Sequence, residues 1–471
     1  MIRQNLASSS YFVNSINKIN VQKIVFSLIG FIFTILTIDP YAANGYQLQF
    51  LLPLLYTILY YFFAPPIKRL GIGYLLLNSI WLIRYCIGPF FIKLSNYAIR
   101  YYSDVSEYHL YIALVLMIVE LSISIISSGY FFKRKAIRVN IKERNDCINN
   151  ISFKTVLILI LISVVVIVFD RNALYSFNFI LREQFTRKGD TAFGTSILIL
   201  SWCKMVLTVY LLGKMGEKNQ KNKIYLLFAL FITILSISIF KETSRVILLI
   251  EALGYIFLLV RLFPKYKKQI YIINFCALFL IILTITLYRF YATRILLETF
   301  VIFDVDTISH LFNVYFAGQQ NVAIGVKSLE LFWQDYTLFT FLKDLFANTV
   351  VLNKFVVGIP GTVEYYNYTV YGHNLWADQI PPLITQAIAL FNALGFFVPI
   401  MVIYFIIKMD IHSKTLSSTF GIFISALIAS NLAFFAPGNI TILSTSLNNR
   451  FIPLFIIYKL SKTKKKTKLN N

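Results

Sequence analysis

The chain alternates along nearly its whole length between apolar runs of about 20 residues and short polar breaks. Twelve such runs can be marked, near residues 21–38, 48–63, 70–92, 108–131, 153–169, 194–212, 223–240, 246–263, 270–290, 383–407, 418–437 and 439–459. A helix rising 1.5 Å per residue crosses a hydrocarbon core of about 30 Å in such a run. Alternating ten-residue segments are absent, so the pattern predicts helices rather than a barrel. The expected fold is an all-α integral membrane protein: a single polytopic bundle over residues 1–471 with about 12 transmembrane helices. One break is out of proportion. Residues 291–382, 92 in all, separate the ninth run from the tenth. They stay apolar and aromatic, so they predict a large loop with interfacial helices rather than a separate soluble domain. Within it, YTLFTFLKDLFANTVV (336–351) puts Leu338, Phe341, Leu342, Leu345 and Phe346 on one helical face, with Lys343, Asp344 and Asn348 elsewhere. That is the pattern of a helix lying at a membrane interface. No internal repeat is visible.

Composition agrees. The chain is 58% hydrophobic and 14% charged, where a soluble domain is about a quarter charged. A net charge of +23 suggests nucleic acid in a soluble protein. Here it sets topology, because cytoplasmic loops collect Lys and Arg. With both termini cytoplasmic, 28 of the 44 Lys and Arg fall on the cytoplasmic side and 13 on the other, although the outer loops hold more residues. No nucleic-acid partner is expected. The tail TKKKTK reads as a topology anchor with some attraction to lipid headgroups. The first span lacks a small-residue cleavage pattern and is expected to persist. This orientation turns the 291–382 loop outward, and with it the turn in FKETSRVILLI (240–250).

Soluble-enzyme signatures are missing: there is no Gly-Lys-Ser phosphate loop, no GxSxG and no HExxH. The four histidines, His109, His310, His373 and His412, are too scattered for a metal site, and Asp304-Val-Asp306 is a weak signal. Cys86, Cys147, Cys203 and Cys276 form no CxxC pair. No metal or cofactor is expected. Ionisable residues inside spans are costly and ask for partners. Arg84 and Glu120, at similar depth in adjacent spans, predict a structural pair. Lys204 and Glu251 predict a second pair or a polar cavity. Arg450, in SLNNRF, has no evident partner.

Two constellations remain. The first is outward positive charge near the membrane surface: Arg182, Arg187 and Lys188 in LREQFTRKGD, Lys241 and Arg245 around ETS, and Arg289 and Arg294 in YRFYATR. A guanidinium is a permanent bidentate partner for phosphate. An arginine snorkelling to headgroups is the plainer reading of any one of them. The second is EYYNYTVYGHNLWADQIPPLITQ (364–386). Its polar groups Glu364, His373, Asn374, Asp378, Gln379 and Gln386 stand among four tyrosines and a tryptophan. Rings over hydrogen-bonding groups suit sugars, and they also suit an interfacial aromatic belt.

Together these features resemble the Wzy-type polymerases of bacterial O-antigen and capsule. The points of similarity are TSR (243–245) opening a span, YFAGQQNVAIG (315–325) in the long loop, and DQIPPLITQAIALFNALGFFVPI (378–400) entering the tenth span. The arginine–glycine spacing of some members' outer loops is absent around Arg182, Arg187, Arg289 and Arg294. The resemblance implies glycosyl transfer at the outer face of the bacterial inner (cytoplasmic) membrane. The donor would be a chain on undecaprenyl diphosphate and the acceptor a single lipid-linked repeat unit. It implies Arg245, Lys241, Arg289 and Arg294 on the diphosphate, and Asp378, His373 or Glu364 at the acceptor proton. Tyr368, Tyr371, Trp376 and Gln379 would bind sugar, and a chain-length regulator protein is an expected partner. The related O-antigen ligases have a glycine motif soon after their histidine. Here His373-Asn374 is followed by no glycine before Gly395. Another lipid-linked glycosyltransferase, or a flippase for the same lipid, is the alternative. Flippases show two similar halves and short loops, and this chain shows neither.

Overall fold

The computed structural model describes residues 21–66, 70–98, 105–138, 151–179, 194–218, 222–241, 245–294, 305–373 and 379–461. In chain order its principal helices are α1 (Val21–Thr37), α2 (Leu51–Phe63), α3 (Ile72–Leu94), α4 (Glu107–Arg138), α5 (Phe153–Phe169), α6 (Gly194–Lys218), α7 (Lys223–Ser238), α8 (Arg245–Leu262) and α9 (Lys267–Arg294). There follow α10 (Val305–Phe316), α11 (Gln319–Phe332), α12 (Leu338–Phe346), α13 (Thr362–Tyr371), α14 (Leu383–Phe391), α15 (Phe397–Thr415), α16 (Thr419–Phe434) and α17 (Ile440–Ser461). Two short strands, β1 (Phe177–Phe179) and β2 (Ile239–Lys241), pair antiparallel with Phe177 opposite Lys241.

Each of the twelve apolar runs coincides with helix. Among the described residues, six stretches are long and apolar enough to cross a membrane: Ile72–Leu94, Glu107–Arg134, Gly194–Glu217, Pro264–Ile285, Leu383–Thr415 and Ile440–Ser461. Five further runs form apolar helices of 10–17 residues. The remaining one, α8, has 18 residues and carries Arg245, Glu251 and Arg261. Many apolar side chains lie on the outside, as on a lipid-facing protein, while the interior combines an apolar core with buried polar groups. In α5 only Val156 and Ser163 are buried. Arg84, Glu120, Asn78 and Asp410, by contrast, are buried.

The chain divides into two compact lobes. The first comprises Met1–Ile141, Val301–Lys408 and Asn431–Thr445. Most of the long segment between the ninth and tenth runs belongs to it, and the described part of that segment is mainly helical. α11 packs along α4, and every residue from Gln319 to Val326 is buried. Between α10 and α11 the chain reverses at Ala317, whose φ of 50° lies in the left-handed region, and Gly318. The Ala317 carbonyl accepts from Arg84 Nε at 3.1 Å, and Arg84 Nη2 pairs with Glu120 Oε2 at 2.7 Å. Arg84 and Glu120 sit near the middle of α3 and α4. The α10–α11 reversal is therefore lodged at mid-length between two candidate spans. Irregular backbone at that depth persists only where protein satisfies it, and Arg84 does so here.

The α12 helix forms where the pattern predicts one. It buries Thr340 and Asp344, while Leu338 and Phe339 are exposed. Phe341, Leu342, Leu345 and Phe346 are half-buried, and Phe341 meets Phe391 of α14 with centroids 5.2 Å apart.

The second lobe comprises Lys142–Phe300, Met409–Ser430 and Ser446–Asn471. Tyr255 of α8 stacks on Phe423 of α16 with centroids 4.8 Å apart. Two helices contain a π turn, Ile83–Ile87 in α3 and Leu447–Phe451 in α17. Each lies just ahead of a proline, Pro89 or Pro453. Proline has no N–H, so the carbonyl four residues back loses its partner and the helix widens. In α17 that carbonyl belongs to Asn449, and Trp202 Nε1 donates to it at 2.9 Å.

Candidate functional site

The α13 helix organises the strongest site. It starts with Glu364 Oε2 accepting from the Gly361 N–H at 3.1 Å, and it ends at Gly372 with a φ of 73°. One face buries Tyr366 and Val370 against Ile324. Another presents Tyr365 and Tyr368 to Phe332 of α11, with centroids 4.8 and 5.7 Å apart. Past the helix end, the His373 ring stacks on Tyr371 at 5.9 Å, and Gln379 Nε2 donates to the Tyr371 hydroxyl at 2.9 Å. Asn367 pins the Gln379 backbone twice: its Oδ1 accepts from the Gln379 N–H at 2.9 Å, and its Nδ2 donates to the Gln379 carbonyl at 3.0 Å. The structure thus brings Tyr368, Tyr371, His373 and Gln379 together on one helix and its exit. Trp376 and Asp378 lie outside the described residues, between those two anchored ends. Ring faces, a phenol and an amide in one place offer what a sugar needs, apolar C–H stacking beside directed hydrogen bonds.

Glu364 is already engaged. Besides its cap it lies 3.8 Å from Lys343 Nζ, which donates to the Val356 carbonyl at 3.3 Å. Behind it, Asp344 is buried, and it has no cationic partner among the described residues. It accepts from the Thr362 N–H at 3.1 Å, from the Thr362 hydroxyl, and from Gln386 Nε2 at 3.0 Å. Burial pushes its carboxyl up to about 6, while the Thr362 and Gln386 hydrogen bonds hold it down. Gln386 also accepts from the Ile440 N–H, and Ser444 Oγ donates to the Asp344 carbonyl at 3.0 Å. The node ties α12, α13, α14 and the start of α17 together, so the floor of the site is stiff.

One group escaped the sequence reading. At the start of α4, His109 Nδ1 accepts from the Ser106 N–H at 3.3 Å and faces the Ser106 hydroxyl at 2.6 Å. Its Nε2 meets Glu330 Oε2 of α11 at 2.7 Å. The Ser106–His109 half was legible: Ser-x-x-His ahead of an apolar run is a capping box with histidine in the usual glutamate position. Glu330 was not legible, because it lies 221 residues away.

In the second lobe, Lys204 Nζ bonds Glu251 Oε2 at 2.9 Å and the Ile239 carbonyl at 2.8 Å. Arg450 Nη2 takes the other oxygen of Glu251. The expected Lys204–Glu251 pair is present, and Arg450 finds its partner in the same carboxylate. Two cations on one buried anion leave a net positive charge beside the β2 strand. Lys241 ends β2 and Arg245 opens α8. Arg289 and Arg294 belong to the last turns of α9. The side chains of these four cations are outside the description, as are Arg182, Arg187 and Lys188. Among the described residues, no three His, Cys, Asp or Glu side chains cluster as metal ligands. Comparison with protein-family models, curated proteins and solved structures finds no match.

Proposed function

We propose that this protein polymerises lipid-linked oligosaccharide repeat units into surface polysaccharide, O-antigen or capsule, by glycosyl transfer at the outer face of the bacterial inner membrane. The observation that carries the reading is the α13 surface: Tyr368, Tyr371, His373 and Gln379 gathered on a helix of the long segment between spans. The resemblance to Wzy-type polymerases supplies the reaction. In this reading the chain crosses the membrane twelve times with both termini cytoplasmic, and residues 291–382 face outward. Undecaprenyl diphosphate leaves from the donor as the acceptor hydroxyl attacks. Arg245, with Lys241, Arg289 and Arg294, stabilises charge on that diphosphate. A chain-length regulator protein is the partner in the membrane. Each lobe is assembled from three separate stretches of chain rather than from one half. That favours an enzyme over a flippase of two similar halves.

The test is the length profile of surface polysaccharide in a deletion strain beside the complemented strain. Collapse of the ladder to one repeat unit supports polymerisation. Loss of single units from the surface as well moves the defect to export or attachment, and the flippase or ligase reading replaces this one. Arg245→Ala at normal membrane abundance is expected to shorten the ladder as the deletion does. A full ladder removes Arg245 from the diphosphate role.

A further inference from the structure

We infer that Glu330 takes the proton from the acceptor hydroxyl and that His109 positions it. The inference rests on the polymerase reading above. Because His109 Nδ1 accepts from a backbone N–H, that nitrogen carries no proton. The ring proton is therefore on Nε2, which donates to Glu330 Oε2 at 2.7 Å. In this arrangement the imidazole orients the carboxylate. The buried carboxylates Glu120 and Glu251 are each paired with arginine or lysine instead. The His109 side chain is 11% exposed and that of Glu330 is 66% exposed, so a fixed, buried ring holds an open carboxylate. Oxygen Oε1 of Glu330 has no protein partner among the described residues.

The place also fits. Val105, next to Ser106, packs against Ile324, Tyr366 and Val370 together with Tyr371. Two residues beyond Glu330, Phe332 meets Tyr365 and Tyr368. The pair joins the start of α4 to the end of α11, the helix whose Phe332 meets the α13 rings, and a carboxylate held between two helices rather than on a loop keeps its geometry. In the step, the acceptor hydroxyl proton moves to Glu330 Oε1 while its oxygen forms the new bond to the anomeric carbon. The bond from that carbon to the diphosphate oxygen breaks, and its electron pair leaves with the lipid diphosphate. His109 stays hydrogen-bonded to Glu330 throughout and touches no substrate.

The experiment uses purified full-length protein in lipid vesicles with a lipid-linked repeat unit, and reads polymer formation. Glu330→Gln is expected to lose about 10²- to 10⁴-fold in kcat with KM little changed. Glu330→Ala should recover part of that rate when formate is added, and His109→Gly should do so with free imidazole; a merely structural role would give no rescue. Wild-type kcat in Glu330→Gln, or low rates that neither small molecule restores, overturns the assignment and leaves the polymerase reading intact. Absence of polymer from the wild-type protein overturns both.

Discussion

Asp344 has a setting with a definite energetic sign. Its carboxyl is raised from 3.8 to about 6 by burial. The folded protein therefore binds more protons than the unfolded chain between those values, and stability falls as pH rises through that window. Above it the cost is level, at most about 3 kcal/mol. Asp344→Asn imitates the protonated acid and removes the slope. Thermal midpoints in detergent should match the wild type near pH 4 and exceed it at pH 7; parallel curves would sink the argument. The buried pairs predict the opposite response. Arg84→Met strands Glu120 and should cost about 3–5 kcal/mol, whereas Arg84→Met with Glu120→Leu should recover most of it. Denaturant titration of both variants checks this. The pairing of Arg84 with Glu120 could be read from matched depth in adjacent runs. The use of Glu251 by both Lys204 and Arg450 could not, since Arg450 lies 199 residues from it and one carboxylate serves two cations.

At the scale of the element, the two π turns make a specific claim. If Trp202 supplies the hydrogen bond that Pro453 withholds from Asn449, the two residues are coupled. Trp202→Phe should cost about 1–2 kcal/mol in the wild type and clearly less in a Pro453→Ala background, where a backbone N–H can serve that carbonyl. Equal costs in both backgrounds would break the link. Helices with long apolar runs were legible because their period needs no knowledge of partners. The α10–α11 hairpin was not. Its Gln319, Gln320 and Asn321 are buried, and hydropathy sends such residues to the surface. The α12 helix was legible from its period, but the burial of Asp344 was not, because its partners Thr362 and Gln386 lie 18 and 42 residues away. On α13 the rings and the amide were visible as a composition. Their assembly depends on Asn367, whose side chain closes the exit and which the pattern did not single out.

For the whole molecule, the proposed orientation is open to direct labelling. Cysteines placed at Phe355 or Val357, both exposed in the long segment, should react in intact spheroplasts with a thiol reagent that does not cross membranes. A cysteine at Lys459 should react only after permeabilisation. Reaction of both from the outside would overturn the topology while leaving the helical architecture untouched.

The anchor of Ala317 on Arg84 also sets an order of events. The Arg84–Glu120 pair closes across 36 residues, so it can form while the ribosome is still making the middle of the chain. The carbonyl that completes it lies 233 residues downstream of the arginine. Until that segment emerges, a donor of Arg84 waits unsatisfied between two inserted helices, open to water or lipid headgroups. The late hairpin then arrives as a keystone, and the first lobe, whose last stretch ends at Thr445, acquires its final packing only when synthesis is nearly complete.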